Sequence, residues 1–352
     1  MLDRIEKTLK FLTNFKKAGC SPAAKNTCMS QPRGLFNLCV LSISTQDFTS
    51  RCDISSIPTL IMPLHLDHVI ILVPYAWLSS PPNWIKKNFT ITPGGRHADN
   101  KTENFLIVFR DGFYIEFIAF INDLPSNREG HWWGKKNFGI VDFALTSVVE
   151  AAGMLYAKLG ERLGRVEVVD GEERVGYQRP VHGGRVRPDG QKVEWDVTFP
   201  VVDKGYQRGE LPFFCQDRTS RDLRVPVPAA SSTHPCGAYG VEEFYVYVSE
   251  ERANTLAKVY EAVLDVENSV REDDPNFVGT FELKRLFDVP CAEGEGPVVV
   301  VGVPFEEEQS EKMEQNGGIL LANLTLGGGE GRVLRRIDIG DESVGGIVAP
   351  AN

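Results

Sequence analysis

The feature that most constrains this chain is that part of it occurs twice. "DGFYIEFI" (111–118) and "DGQKVEWD" (189–196) both set Asp-Gly four residues ahead of a glutamate that an aromatic residue follows. Upstream, "LDHVIILV" (66–73) aligns with "IVDFALTS" (140–147), matching His68 to Asp142. His68 stands 48 residues before Glu116, and Asp142 stands 52 before Glu194. Self-similarity at a near-constant spacing predicts a fold of stacked copies of one supersecondary unit.

Each copy reads as a strand, a helix and two or three further strands. In the second, Ser147 and Glu150 have the spacing of a capping box. Val148, Val149, Ala152, Leu155, Tyr156 and Leu159 make a helical apolar stripe, which Gly160 and Gly164 end. In the first copy the helix is shorter, around "SPPNWIKKNF". "FLIVF" and "FYIEFIAFI" then form a hairpin turning at Arg110-Asp111-Gly112. The run from His68 to Val73 is β-branched and short, as buried strands are. Alternation puts His68 on one face with Ile70 and Leu72, and His65 on the other with Asp67, Val69 and Ile71. The repeat singles out His68, because its counterpart Asp142 is also a possible ligand; His65 has no assigned role.

A third, weaker copy follows. "GVEEFYVYVS" is a strand, with Glu243 at the position of His68. "EERANTLAKVYEAVLDV" is an amphipathic helix, and "TFELKRL", "PVVVVGVP", "GGILLANLTL" and "RVLRRIDI" are strands. The acidic insert "PFEEEQSEKMEQNGG" reads as a solvated loop or short exposed helix. The expected organisation is an N-terminal extension outside the fold over 1–61, a domain over 62–230 built from modules 62–130 and 137–217, a degenerate third module over 231–345, and a tail over 346–352.

Composition narrows the partners. The net charge is −10, which argues against nucleic acid, since phosphate binding needs a basic face. The charge is uneven: residues 1–61 carry about +4 and the rest about −14. No apolar run approaches the roughly 20 residues of a membrane span. Seven cysteines occur without a CxxC pair, which points to a reducing compartment with neither a disulfide framework nor a zinc ribbon. The expected address is the cytoplasm. The basic amino-terminal stretch "LDRIEKTLKFLTNFKKAG" keeps the mitochondrion open, although Asp3 and Glu6 weaken that reading. No GxxxxGK[ST], GxSxG or HExxH motif is present, and "GGGEG" (327–331) has no helix after it to hold a phosphate.

Five blocks then carry a resemblance: "HLDHVIILVP", "ITPGGRHADNKTENFLIVFRDGFYIEFIAF", "RVRPDGQKVEWDVTFP", "LPFFCQDRT" and "HPCGAYGVEEF". In order and spacing the chain resembles the glyoxalase-like domain of the vicinal oxygen chelate superfamily, over about residues 63–245. The resemblance implies an α/β (α+β) fold in which paired βαβββ modules form a curved mixed sheet around a cleft. It also implies a divalent metal held there by the first and last strands of each module. Carried across by position, the metal ligands are His68, Glu116, Asp142 and Glu194, with Glu116 and Glu194 as catalytic carboxylates. Imidazole and carboxylate suit a divalent first-row metal or Mg, which would polarise neighbouring substrate oxygens. The chain departs from the family where Asp142 replaces the usual His, and where Lys101-Thr102-Glu103-Asn104 replaces a Gly-Thr-x-Asn turn.

Each of these residues has a plainer reading. His68 fits a buried histidine bonded to a carbonyl, and Asp142 the edge of a strand. Glu116 lies in an apolar strand, where a carboxylate must be paired, with Arg96 for instance, or metal-bound. Arg96, His97 and Asn104 in the Gly-rich loop, and His234 in "HPCGAYG", are the expected substrate-binding groups. Trp132 and Trp133 read as cover for a sheet edge or core, and His182 as a surface loop residue. The leading expectation is a metal-dependent isomerase, lyase or dioxygenase acting on a small oxygenated metabolite. A metal-free protein sequestering a small ligand and a protein-interaction scaffold are the alternatives, and a homodimer is left open.

Overall fold

The structure is a computed structural model that describes residues 63–167, 174–201, 205–269, 276–292 and 294–328, with two further strands described by their backbone. The chain divides into a unit spanning Met1–Pro58 and one spanning Thr59–Asn352. The extension expected over 1–61 lies outside the described residues.

The larger unit opens with β1 (His65–Leu72), two short helices α1 (Ala76–Ser79) and α2 (Asn83–Asn88), then β2 (Thr92–His97), β3 (Thr102–Val108) and β4 (Tyr114–Phe120). Gly112 supplies a left-handed residue (φ +89°) in the β3–β4 turn, a conformation that favours glycine. After the single turn α3 (Pro125–Arg128) the pattern recurs as β5 (Gly139–Thr146), α4 (Ala152–Leu163), β6 (Val181–Val186), β7 (Lys192–Thr198) and β8 (Phe213–Asp217). The eight strands close into a barrel in the order β1-β4-β3-β2-β6-β7-β8-β5. In each module the first strand pairs parallel with the last, β1 with β4 and β5 with β8. Antiparallel pairing of β1 with β5 joins the modules. This is the mixed α/β fold of paired βαβββ modules that the family resemblance implies.

Two short helices, α5 (Arg221–Arg224) and α6 (Ala229–Ser232), lead into β9 (Ala238–Val248), α7 (Glu250–Leu264), β10 (Phe277–Glu282), β11 (Val298–Gly302), α8 (Glu307–Gln315), β12 (Ile319–Gly328), β13 (Leu334–Asp338) and β14 (Gly346–Pro350). These strands form an open sheet in the order β10-β11-β9-β12-β14-β13. Its plan copies the barrel's. β9 runs parallel to β11 and β12 parallel to β14, while β9 and β12 are antiparallel at the centre. The region read as one degenerate module therefore carries the modular pairing twice, with three strands in each half. The last strand falls within residues read from the sequence as tail. The acidic insert is the helix α8, closed by a capping box of Glu306 and Gln309.

One core binds these layers. Val69, Ile71, Phe105 and Phe117 of the barrel's outer face pack in the same cluster as Leu155 and Leu159 of α4, Leu256 and Tyr260 of α7, and Phe244 and Val246 of β9. Ile70, Leu72, Ile118, Phe120, Ala144, Phe213 and Cys215 form a separate cluster. Their alternation with the first set identifies them as the inward residues of their strands.

Two local expectations need correction. Helix α4 begins at Ala152, after Ala151 as its N-cap, and not at the Ser147–Glu150 box. Ser147 does accept a bond from the Glu150 N–H (3.3 Å), but the segment does not continue as helix, and Val148 and Val149 are exposed. The stripe that packs is Ala152, Leu155, Leu159 and Leu163. Strict alternation also fails at the start of β1. A register shift between Leu66 and His68 places Leu66 in the outer cluster with Val69, and the bulged Asp67 comes within reach of the His68 ring.

Candidate functional site

Glu116 is the centre of the site. It stands on β4 beside Ile70 of β1 and is buried. Its Oε1 accepts a hydrogen bond from Asn104 Nδ2 (2.7 Å) across the β3–β4 ladder. The amide is oriented by the Gly95 N–H, which donates to Asn104 Oδ1 (3.0 Å), so its NH2 group faces Glu116 and the His97 ring, 3.4 Å away. His97 Nε2 stands 3.6 Å from Glu116 Oε1, and His68 Nε2 stands 3.6 Å from Glu116 Oε2. One buried carboxylate thus lies between two imidazoles.

The far nitrogen of each ring is tied. His97 Nδ1 is 2.8 Å from the Thr102 hydroxyl. Burial lowers the His97 pKa despite the opposing pull of Glu116 and Asp99, which favours a neutral ring. His68 donates Nδ1–H to Asp67 (2.7 Å) and is stacked on Tyr114, with Phe213 edge-on. Burial alone would raise the Asp67 carboxyl, but Arg221, Arg224 and the His68 bond outweigh it and hold it well below the usual carboxylate range. Asp67 is therefore the acceptor, and Nε2 of His68 is left to face Glu116. The arginines come from α5, directly after β8. Arg221 reaches Asp67 at 2.6 Å and Arg224 at 2.8 Å, and both also hold Asp217.

Glu116 and His97 open onto a cavity of about 180 Å3. Trp132, Phe199 and Phe213 follow one another along its wall with ring centres 4.9 and 5.1 Å apart. Trp195 stands across from them, edge-on to His97. At the rim, His131 faces Asp99 (3.6 Å) and His182 faces Glu194 (3.3 Å). Of the pair read as cover, Trp133 is buried and donates Nε1–H to Asp142 (2.8 Å), Trp132 is half-exposed, and both line the cavity. His182 is on strand β6 rather than in a loop.

The other expected site residues are elsewhere. Asp142 is fully buried in an ion pair with Arg208, the Trp133 indole being its second partner. Glu194 is on β7, the third strand of its module, whereas β8 is the strand that pairs with β5. It is partly exposed at the rim, where the Lys192 ammonium and then His182 hold its carboxyl below the ordinary range. Arg96 points outward and bonds Glu103 (2.7 Å), not Glu116. His234 is buried outside the cavity lining. It lies near Phe89 and Phe109, bonded to Val108 O (3.0 Å) and the Thr90 N–H (3.1 Å), and burial lowers its pKa to about 4.

This donor set does not fit the four-residue metal site. Asp142 Oδ2 is engaged by Arg208 and Trp133, and its Oδ1 accepts the Phe143 N–H (3.0 Å). The strand that structurally matches β4 in module two is β8, and it turns Phe213 and Cys215 into the cavity. Among the described residues no group of three His, Cys, Asp or Glu is arranged to hold a metal ion. Asp67 and Asp99 were not singled out from the sequence, and the signal available for each was its nearness in the chain to a histidine, His68 and His97.

Comparison with known proteins bears on the whole arrangement. No functionally curated protein matches the chain in sequence. A hypothetical protein from Staphylococcus aureus has a similar structure, with a TM-score of 0.57 at 14% identity, covering 81% of this chain and 98% of that one. A mutant 4-hydroxymandelate synthase from Streptomyces coelicolor gives 0.41 at 11% identity, over 76% of this chain and 71% of that one. A xylose isomerase-like TIM barrel/4-hydroxyphenylpyruvate dioxygenase fusion protein gives 0.39 at 11%, over 74% and 36%. Of these three only the first is near enough to show a common fold. A family model described as a glyoxalase-like domain matches residues 66–264, through both barrel modules and on to the end of α7, and on that match the chain belongs to the glyoxalase-like domain family.

Proposed function

We propose that the barrel takes up a small, flat organic molecule and that Glu116 acts on it as a general base, in proton-transfer chemistry of isomerase or lyase type. The observation that supports this is the placement of Glu116: a buried carboxylate on the wall of an aromatic cavity, fixed by Asn104, with His68 Nε2 3.6 Å from its second oxygen. A proton taken from the ligand by Glu116 can pass to His68, and Asp67 stabilises the imidazolium that forms. That is the part a buried aspartate plays behind a catalytic histidine. Returning the proton to a different ligand atom gives an isomerisation with no redox partner. Module-one side chains suffice for these steps, so the reading does not require the four-ligand metal expected from the sequence.

Chelator-treated protein, incubated in D2O with a panel of small aromatic compounds bearing an acidic C–H, tests it by proton NMR. Deuterium incorporation that is lost in Glu116→Gln and unaffected by chelation is the expected result. Exchange that needs an added divalent ion would replace this reading with the metal-dependent one. Binding without exchange would leave a sequestering protein.

A further inference from the structure

The cavity's charge says what kind of molecule it takes. Its lining includes two carboxylates, Glu116 deep in the wall and Asp99 near the rim beside His131, the histidines His97, His131 and His182, and, among the described residues, no lysine or arginine. The arginine nearest the aromatic wall is already answered. Arg208 lies over the Phe199 ring (4.2 Å), and its charge is matched by Asp142. Arg185 is buried outside the lining, behind His97, where its charge acts on Glu116 without reaching the cavity surface. His97 is kept toward its neutral form by burial, so it does not balance Glu116. The remaining wall is Trp132, Trp195, Phe199 and Phe213, whose ring faces carry partial negative charge.

From this we infer that the ligand is a cation on a flat apolar body, an aromatic or quaternary ammonium compound whose positive centre sits among the aromatic rings and within the field of Glu116 and Asp99. The inference rests on the small-molecule reading of the barrel and narrows it. An anionic ligand of the same shape would meet two like charges in a partly desolvated site with no lining cation to pair it. A neutral one would lose the attraction to both carboxylates and rings. A positive centre beside the reacting carbon would also acidify its C–H, which suits a carboxylate base.

Three probes of one shape separate these cases. Benzyltrimethylammonium, its neutral carbon isostere neopentylbenzene, and phenylacetate are titrated into the full chain, with binding read by calorimetry and by Trp fluorescence. The cation should bind at least about tenfold more tightly than the neutral isostere, and phenylacetate more weakly than either. The preference should shrink several-fold in Asp99→Asn, at the partly exposed rim, and in Trp132→Leu, both of which spare the buried network around Glu116. Equal binding of cation and isostere, or a preference for phenylacetate, overturns the charge inference and leaves the small-molecule reading standing. Binding of none of the three at millimolar concentration overturns both.

Discussion

Asp67 and His68 are neighbours in sequence, yet they are hydrogen-bonded to each other inside the barrel, Oδ2 to Nδ1 at 2.7 Å. In a regular strand, side chains one residue apart point to opposite faces. The register shift at Asp67 brings the two together and connects the charge cluster of Arg221, Arg224 and Asp217 to the ring that faces Glu116. Structure and chemistry meet at that bulge.

Replacing Asp67 by Asn should therefore be costly. It leaves Arg221 and Arg224 with Asp217 alone of the two carboxylates they share, and breaking a buried ion pair typically costs about 3–5 kcal/mol. Urea unfolding would measure it, and Asp67→Leu combined with Arg224→Met should cost less than the two single changes added together. The contribution of Asp67 also has a pH sign. Its folded pKa lies below the ordinary value near 3.8, so the stabilisation is present above that value and lost as pH falls through the folded one.

Asp142 offers a contrast with a metal ligand. Asp142→Ala strands Arg208 in the interior and should lower stability by about 3–5 kcal/mol. It should leave the uptake of added divalent ions, followed by thermal shift, the same as in the parent protein. A loss of metal-induced stabilisation on this substitution, with the fold intact, would make Asp142 a ligand after all.

A third prediction concerns Asp111, in the β3–β4 turn. It accepts bonds from the Phe113 N–H (3.0 Å) and from the Val241 N–H of β9 (2.9 Å). Burial raises its pKa to about 7 against the opposing effect of those bonds. The folded value lies above the unfolded one, so its contribution to stability is fully present below the unfolded value and lost as pH rises through about 7. Melting temperature should fall between about pH 4 and pH 7 in the parent protein, and less steeply in Asp111→Asn. Parallel profiles in the two proteins would refute this.

Gly183 gives a way to disturb the cavity by itself. A Cβ there would come within 2.7 Å of Trp195 Nε1, and the indole, only partly buried on the cavity wall, has room to swing. Gly183→Ala should weaken binding of an aromatic probe several-fold while changing stability by less than about 1 kcal/mol. Unchanged affinity in calorimetry would show that Trp195 does not touch the ligand.

The curved sheet of paired modules was legible in the sequence because the repeat and the period-two strands carry the same information about it; its closure into a barrel was not. The convergence of His68, His97, Asn104 and Glu116 came from neighbouring strands whose order a βαβββ module fixes. Module two was read less well for a specific reason. The Asp-Gly-x-x-x-Glu pattern marks a hairpin turn and the strand after it, and says nothing of that strand's rank. In module one the strand is the last, β4; in module two it is β7, and β8 follows. The bulge at Asp67 left no trace in the pattern of apolar residues, because Asp67 breaks no apolar alternation. Val148 and Val149 match a helical stripe that the backbone does not extend to them, a limit of periodicity at helix ends.

The ring of strands has a narrow seam. Only two residue pairs, Arg96 with Val186 and His97 with Arg185, join β2 to β6, as few as join β5 to β8, whereas seven join β3 to β4. Parting a sheet costs least where its ladder is shortest, and this one runs beside the cavity, with His97 in both. One of the barrel's two shortest ladders thus borders its cavity: amide hydrogens along 96–97 and 185–186 should exchange ahead of those in β3 and β4, and anything that fills the cavity should slow them first.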